Sequence, residues 1–259
     1  MTDTNLVQSV DRALSILEYL GEYHNGAGIT EISKALGLSK ATVHRLITTL
    51  KIKDFVRQSE DNEQYFLSFK LLYLSNCIST KLDIFKISRP IITKFADDVD
   101  ATVHLSILDD TRTNIVYVDK IEPTNSNKIF VMSSKVGKKA PCYCTAAGKL
   151  LLSQYSDDEI RDIMKDVDYK VYTEKTIKNT DEFIEEIHEV RKQGYALDKH
   201  EYDSGIICIS IPIYDKNGNI NLAMSVTGLI IYTTTDDLIA LKSSLSDISS
   251  EISNIIKYL

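Results

Sequence analysis

The chain lacks the features that define several protein classes. Its four cysteines, Cys77, Cys142, Cys144 and Cys208, are too few and too scattered for a disulfide framework. Cys142 and Cys144 form a single C-x-C with no second pair at zinc-ribbon spacing. No long hydrophobic run is present. The longest nearly apolar stretch, Gly205–Tyr214, is far short of the roughly 20 residues that a membrane-spanning helix requires. Asp3 and Asp11 interrupt the opening stretch, so neither signal peptide nor membrane anchor is expected there. Positive charge is also scarce: 30 Lys and Arg against 37 Asp and Glu give a net charge of −7, which argues against bulk electrostatic coating of nucleic acid. Repeats and low-complexity tracts are missing.

What remains, 259 residues with 43% hydrophobic and 26% charged side chains, is an ordinary globular composition. It fits one large domain or two modest ones. The expected setting is cytoplasmic, with free thiols and no cofactor.

Hydrophobic periodicity changes along the chain. Apolar residues recur at helical spacing from Leu6 to about Lys53, whereas alternation dominates from Ala101 onward, as in Val103, Leu105, Ile107 and then Ile115, Tyr117. Between them, the stretch from Phe69 to Phe95 reads as a connecting helix followed by the first helix of a second domain. A break falls near Asp83, and Pro90 is expected only in a first turn or at a kink. The division is therefore a small domain over 1–68, a linker helix over 69–83 and a larger domain over 84–259.

The first domain reads as three helices. Val7, Val10, Leu14 and Leu17 suggest the buried stripe of the first, and Gly21 its end. Thr30 is expected to cap a short second helix that turns Ile32, Ala35 and Leu36 inward and closes at Gly37; Ser39 then caps a third. In that third helix Val43, Leu46, Ile47 and Leu50 fall at i, i+3, i+4 and i+7. The opposite face thus carries Ala41, Arg45 and Thr48, flanked by Thr42, His44 and Thr49. A short helix, a glycine turn and a longer helix exposing small polar residues and an arginine is the pattern of helix-turn-helix DNA readers. The stretches Phe55–Gln58 and Gln64–Leu67 around a polar tip add a β-hairpin, making the motif a winged one. Amphipathic helix pairs are common without any nucleic-acid role, but the charge favours DNA. From Leu38 to Arg57 five basic residues, Lys40, Arg45, Lys51, Lys53 and Arg57, face the single acid Asp54, a local charge of +4.

These residues resemble the IclR-type bacterial transcription regulators. Gln8–Leu17 is similar to the family's first helix and Ile29–Leu46 to its helix-turn-helix. Ala140–Lys149 and Lys192–Glu201, leading through Gly205 and Cys208 to Pro212, are similar to two motifs of its second domain. The chain departs from the family pattern at Tyr143, where His is usual, and in a wing, Glu63-Gln64-Tyr65 to Leu67-Ser68, that is less basic than usual. The resemblance implies an α+β protein: a winged helix-turn-helix joined by a linker helix to a GAF-like or profilin-like effector-binding domain with a central antiparallel sheet. It implies a sequence-specific regulator, expected to be a repressor, assembling as a homodimer or dimer of dimers on double-stranded operator DNA. Its nominated DNA contacts are Ser39, Lys40, Ala41, Thr42, His44 and Arg45, with Arg57 and Tyr65 from the wing.

In the second domain, Ile207, Ile209, Ile211 and Ile213 alternate with Cys208, Ser210 and Pro212. After a turn at Asp215–Gly218, Leu222, Met224 and Val226 alternate with Ala223, Ser225 and Thr227. One face of this hairpin is large and apolar, suited to pack on the amphipathic C-terminal segment with Leu238, Leu245 and Ile252. The other is small and polar, an odd choice for solvent and a plausible ligand wall. Thr145 is placed to cap a helix whose start, Ala146-Ala147-Gly148, either admits an anion to free backbone N–H groups or simply packs closely. The family resemblance favours an effector, expected to be a carboxylate metabolite, and carries the site onto Met132, Ala146, Ala147, Asp198, Ile206, Cys208, Ser225 and Thr227. Asp198 would repel an anion unless it is paired, protonated or used for a hydroxyl. Two rival functions follow from the cysteines. One is a redox sensor, if Cys142 and Cys144 point the same way from a strand edge; the other is an enzyme pairing Cys144 or Cys208 with His104 or His200, although no spacing brings those residues together.

Overall fold

The computed structural model of the chain describes residues 6–23, 25–79, 83–124 and 134–257; at 78, 79 and 83–87 it describes the backbone alone. The chain forms two compact units, Met1–Asp83 and Ile84–Leu259, and the fold is α+β.

The first unit contains helices α1 (Gln8–Glu22), α2 (Ile29–Leu36) and α3 (Lys40–Ile52), an antiparallel hairpin of β1 (Val56–Gln58) and β2 (Tyr65–Leu67), and α4 (Lys70–Ser79). Ile16, Leu20, Ile32, Val43, Ile47, Leu50, Val56 and Tyr65 form its core. α3 follows the expected periodicity, with Leu46 half-buried. α1 does not. It buries Ile16 and Leu20, with Ala13 and Leu17 packed beside them, and leaves Val7, Val10 and Leu14 more than half exposed. This helix has two apolar faces, and i, i+3, i+4 spacing cannot say which one meets the core. α2 begins one residue before Thr30. Gly28 takes the cap position and donates its N–H to the Glu31 carboxylate at 2.7 Å; Ala35 is exposed, and Gly37 ends the helix at φ 64°.

The second unit opens with α5 (Asp83–Val99), which carries Pro90 in its interior rather than its first turn. Then come β3 (Thr102–Leu108), β4 (Asn114–Ile121), β5 (Lys139–Pro141), a 3-10 turn (Cys142–Cys144), α6 (Ala146–Leu152), α7 (Asp157–Met164) and α8 (Thr180–Gln193). β6 (Ala196–Lys199), β7 (Ile206–Tyr214), β8 (Ile220–Leu229), α9 (Thr235–Ala240) and α10 (Lys242–Lys257) follow. The six strands make one antiparallel sheet in the order β5-β4-β3-β8-β7-β6.

Strand alternation gives this sheet two different faces. Ile207, Ile209, Ile211, Ile213, Met224 and Val226 pack with Ile92, Phe95, Leu238, Leu245 and Ile252 of α5, α9 and α10, as the hairpin pattern anticipates. The other face is covered by a cluster containing Leu150, Leu151, Leu152, Phe183 and Ile187 of α6 and α8. The small polar residues of β7 and β8 lie on this second face and are buried or half-buried, so it is not a solvent face. Gly148 shows why α6 starts with small residues: a Cβ there would lie 2.3 Å from Cys142 Cα. Cys142 and Cys144 sit in the 3-10 turn and not on a strand edge. Both are buried, and burial raises both thiols far above their ordinary range, which removes the thiolate a redox sensor needs. Among the described residues, no helix is long and apolar enough to cross a membrane, and no group of three His, Cys, Asp or Glu is placed to hold a metal ion.

Candidate DNA interface and effector cavity

In the first unit the candidate DNA face is built on the N-terminus of α3. Ser39 accepts the Thr42 N–H at 3.2 Å, and its hydroxyl shares a 2.9 Å hydrogen bond with the Thr42 hydroxyl. The cap sets the first turn of the helix, and beyond it Lys40, Ala41, His44 and Arg45 are exposed while Thr42 is half-buried. Arg45 has no carboxylate partner among the described residues. Thr48 and Thr49 turn their hydroxyls back onto the carbonyls of His44 and Arg45, at 2.7 and 3.0 Å. In the wing, Arg57 pairs across the hairpin with Phe66 and its guanidinium lies 4.7 Å from the centre of that ring. Stacking holds the charge on the outer face of the hairpin.

Tyr65 is a correction. The alternation that turns Phe66 outward turns Tyr65 inward, where it is 7% exposed within the core, its backbone bonded both ways to Ala27 at 3.0 and 3.1 Å. Its side chain therefore supports the wing from beneath and has no surface to offer DNA.

In the second unit a cavity of about 70 Å³ lies against the polar face of the sheet. Seven of the eight sequence-nominated effector residues are described, and all seven line it: Ala146 and Ala147 from α6, Asp198 from β6, Ile206 and Cys208 from β7, Ser225 and Thr227 from β8. Met132 lies outside the described residues. Sequence reasoning missed His104 and Tyr117 as wall residues, and also Ser134, Tyr202 and Asp203. His104 was detectable in principle, because the alternation that buries Val103 and Leu105 on one face of β3 sends it to the other.

The polar groups of this cavity are tied down. His104, 3% exposed, hydrogen-bonds Thr227 Oγ1 through Nδ1 at 3.2 Å and Ser134 Oγ through Nε2 at 2.9 Å. Burial, helped by the charge of Lys120, lowers its pKa to about 4, so the ring is neutral. The Cys208 thiol meets Thr227 Oγ1 at 3.5 Å and is pushed far up by burial. Cys208 and His104 are thus joined through Thr227, but a protonated thiol and a ring with both nitrogens engaged do not make a nucleophile and base. Asp198 accepts the Glu201 N–H at 2.7 Å; burial above all raises its carboxyl to about 7. Behind it, Lys149 is fully buried and donates to Glu201 Oε1 at 2.6 Å and to the Leu197 carbonyl at 2.7 Å. Thr173 and Thr176 anchor the same loop by bonds to the His200 and Glu201 carbonyls, both at 2.6 Å.

A capped, arginine-bearing helix with a hairpin wing in one unit, beside an α+β second unit with a cavity on its sheet, is the arrangement of a winged helix-turn-helix transcriptional regulator. Matches to known proteins carry this to a family. Residues 9–60 match the IclR helix-turn-helix domain and residues 77–254 match the bacterial transcriptional regulator IclR C-terminal domain. The chain belongs to the IclR family of bacterial transcriptional regulators. It is 34% identical to the HTH-type transcriptional regulator KdgR of Escherichia coli over 221 residues, covering 85% of this chain and 82% of that one. It is 29% identical to the HTH-type transcriptional regulator XynR of Escherichia coli over 98% of each chain. The crystal structure of the Thermotoga maritima IclR superposes with a TM-score of 0.79 at 27% identity, covering 98% of this chain and all of that one.

Proposed function

We propose that the protein is a cytoplasmic repressor that binds a near-palindromic operator as a homodimer, or as a pair of dimers, and is controlled by a small effector held in the cavity of its second unit. The carrying observation is the exposed N-terminal surface of α3, where Ser39 presets the first turn and Arg45 stands without an acidic partner among the described residues. Such a surface presents a bidentate donor to base edges in the major groove. Lys40 and Arg57 supply phosphate contacts, so base reading and backbone anchoring fall to different residues. Two relatives bear the names Acetate operon repressor, from Salmonella typhimurium, and Transcriptional repressor IclR, from Escherichia coli, which supports the repressive sense.

Self-association is supported by the outward apolar face of α1, Val7, Val10 and Leu14, and by exposed Phe69, Leu72 and Tyr73 at α4. Apolar patches of this kind mark association surfaces. Effector control is supported by the convergence of seven nominated residues on one cavity. Selection of binding sites from random duplex DNA with the full chain should return a two-fold symmetric sequence. Replacing Arg45 by Ala should erase preference at the base pairs it reads. A selection that returns no symmetric site, or an Arg45→Ala protein with an unchanged site preference, overturns the docking.

A further inference from the structure

The far end of α3, away from its capped N-terminus, is tied to the first turn of α4. α3 closes on a left-handed residue, Asp54 at φ 60°, and the Phe55 N–H reaches back to the Leu50 carbonyl at 2.8 Å. The carbonyls of Lys53 and Asp54 follow the helix and are both taken by the chain returning from the wing. Lys70 Nζ donates to the Lys53 carbonyl at 2.8 Å, and the Ser68 hydroxyl donates to the Asp54 carbonyl. Ser68 has a single hydroxyl proton, so its lone pairs are left to accept the Lys70 N–H, at 3.2 Å, where α4 begins. The Ser68 N–H completes the set by donating to the Phe55 carbonyl at 3.0 Å. Lys70 Nζ also stands 4.7 Å from the centre of the Phe55 ring.

Beyond this first turn α4 stands clear of the core. Among the described residues, none of α4 belongs to the core of the first unit, and every side chain from Leu72 to Cys77 is exposed. Ser68, by contrast, is 8% exposed and Lys70 half-buried. The ammonium also complements the negative end of the α3 dipole, which makes its bond stronger than a neutral one. The direction of α4 relative to α3 is therefore set at this joint.

We propose that Ser68 and Lys70 are positioning residues for operator binding: they join α4 to α3 as one lever, so that the direction of α4 sets the angle at which α3 meets DNA. Neither side chain touches a base in this scheme. In the dimer, exposed Phe69, Leu72 and Tyr73 pack against the second copy, and the joint carries that geometry to both recognition helices. Two helices held in this way suit one half-site separation, since each base pair added between the half-sites turns one of them by about 35° around the duplex. Loosening the joint leaves each head able to read its own half-site and removes the penalty for a wrong separation. The role rests on the reading of the chain as a dimer on a two-fold symmetric operator.

The test uses the full-length chain and the half-site returned by selection from random duplex DNA. That half-site is built into duplexes as one copy, or as two inverted copies whose separation is changed by one or two base pairs, and fluorescence anisotropy gives the affinities. The wild type should lose about tenfold or more on moving two base pairs from its preferred separation, a factor comparable to one mismatched base pair. Ser68→Gly removes the hydroxyl, and Lys70→Met keeps the stem and removes the ammonium. In both, the loss should shrink to about threefold or less, with affinity for the single half-site unchanged. Ser68→Thr restores the hydroxyl and should restore the wild-type dependence on separation. Lys70→Met keeps the test decisive if Ser68→Gly does not fold. An unchanged dependence in the folded variants overturns the joint. So does an equal loss on the single half-site, which would mean that the two residues only stabilise the head or that Lys70 contacts phosphate. A wild type that binds all separations alike, or a selection that returns no symmetric site, removes the dimer reading itself and this role with it.

Discussion

Lys149 Nζ, at the centre of the second unit with no exposed surface, donates to Glu201 Oε1 across 2.6 Å. The pair joins α6 to the loop after β6, the loop whose start carries Asp198. Among the described residues Glu201 Oε2 has no hydrogen-bond partner, so the lysine is what compensates the buried carboxylate. Removing one member of such a pair leaves the other stranded in a poorly solvated interior.

Lys149→Met should therefore destabilise the protein by about 3–5 kcal/mol. Adding Glu201→Gln to it should restore most of that loss, because the stranded charge is then gone. Urea denaturation of the two variants and the wild type measures both. A Lys149→Met protein within 1 kcal/mol of wild type would show that the pair compensates nothing.

On the DNA face, the two kinds of contact separate by their salt dependence. Arg45→Ala should cost about 1–3 kcal/mol on the selected operator and little on random duplex. Arg57→Ala should weaken both alike and reduce the slope of log K against log salt by about 1. Tyr65→Phe should leave both affinities unchanged, since that ring lies in the core. Fluorescence anisotropy titrations at several salt concentrations separate these outcomes.

Gly148→Ala tests whether the small residues at the start of α6 serve packing. Its Cβ would meet Cys142 Cα at 2.3 Å and the Cys142 carbonyl oxygen at 2.5 Å, backbone atoms that cannot rotate away. The variant should lose about 3 kcal/mol and some ordered packing around the 3-10 turn. Near-UV dichroism and thermal unfolding report both, and a wild-type unfolding curve would remove this account of the glycine.

His104 and Asp198 should act oppositely on stability between pH 4 and pH 6.5. The folded pKa of His104 is lowered to about 4, so its contribution is complete above the unfolded value of 6.5 and is lost as pH falls toward 4. That of Asp198 is raised to about 7, so ionising it in the fold carries a cost that is absent below 3.8 and grows up to pH 7. Each effect is on the order of 3 kcal/mol. Asp198→Asn should therefore gain on the wild type as pH rises from 4 to 7, and His104→Asn should gain on it as pH falls from 6.5 to 4. The groups around Asp198 are Lys149, Glu201, Tyr117, Tyr202, Cys144 and Cys208, and Asp203 shares the cavity lining with it. Denaturant midpoints across this range supply the check; a constant offset from wild type in either variant would contradict the assignment.

Much of this was written in local pattern. The periodicity of Val43, Ile47 and Leu50, the cap at Ser39 and the left-handed turn at Gly37 depend on residues within a few positions of each other, so sequence alone located the recognition helix. Alternation in β7 and β8 likewise assigned Ser225, Thr227 and Cys208 to one face. Sequence could not choose between the two apolar faces of α1, nor between inward and outward for Tyr65, because both choices depend on which neighbour packs there.

The same limit separates the residues of the cavity from their partners. Cys208, Ser225 and Thr227 were placed on one candidate ligand wall by alternation, whereas Asp198 was nominated by the family resemblance, and the net charge of −7 already argued against a binder working through bulk attraction. That Cys142 and Cys144 are buried in a turn, that Lys149 is consumed by Glu201, and that Ser68 and Lys70 close on the carbonyls at the end of α3 were decided only by the tertiary fold. Contacts of this kind run between separate elements, and a linear sequence does not specify which donor finds which acceptor.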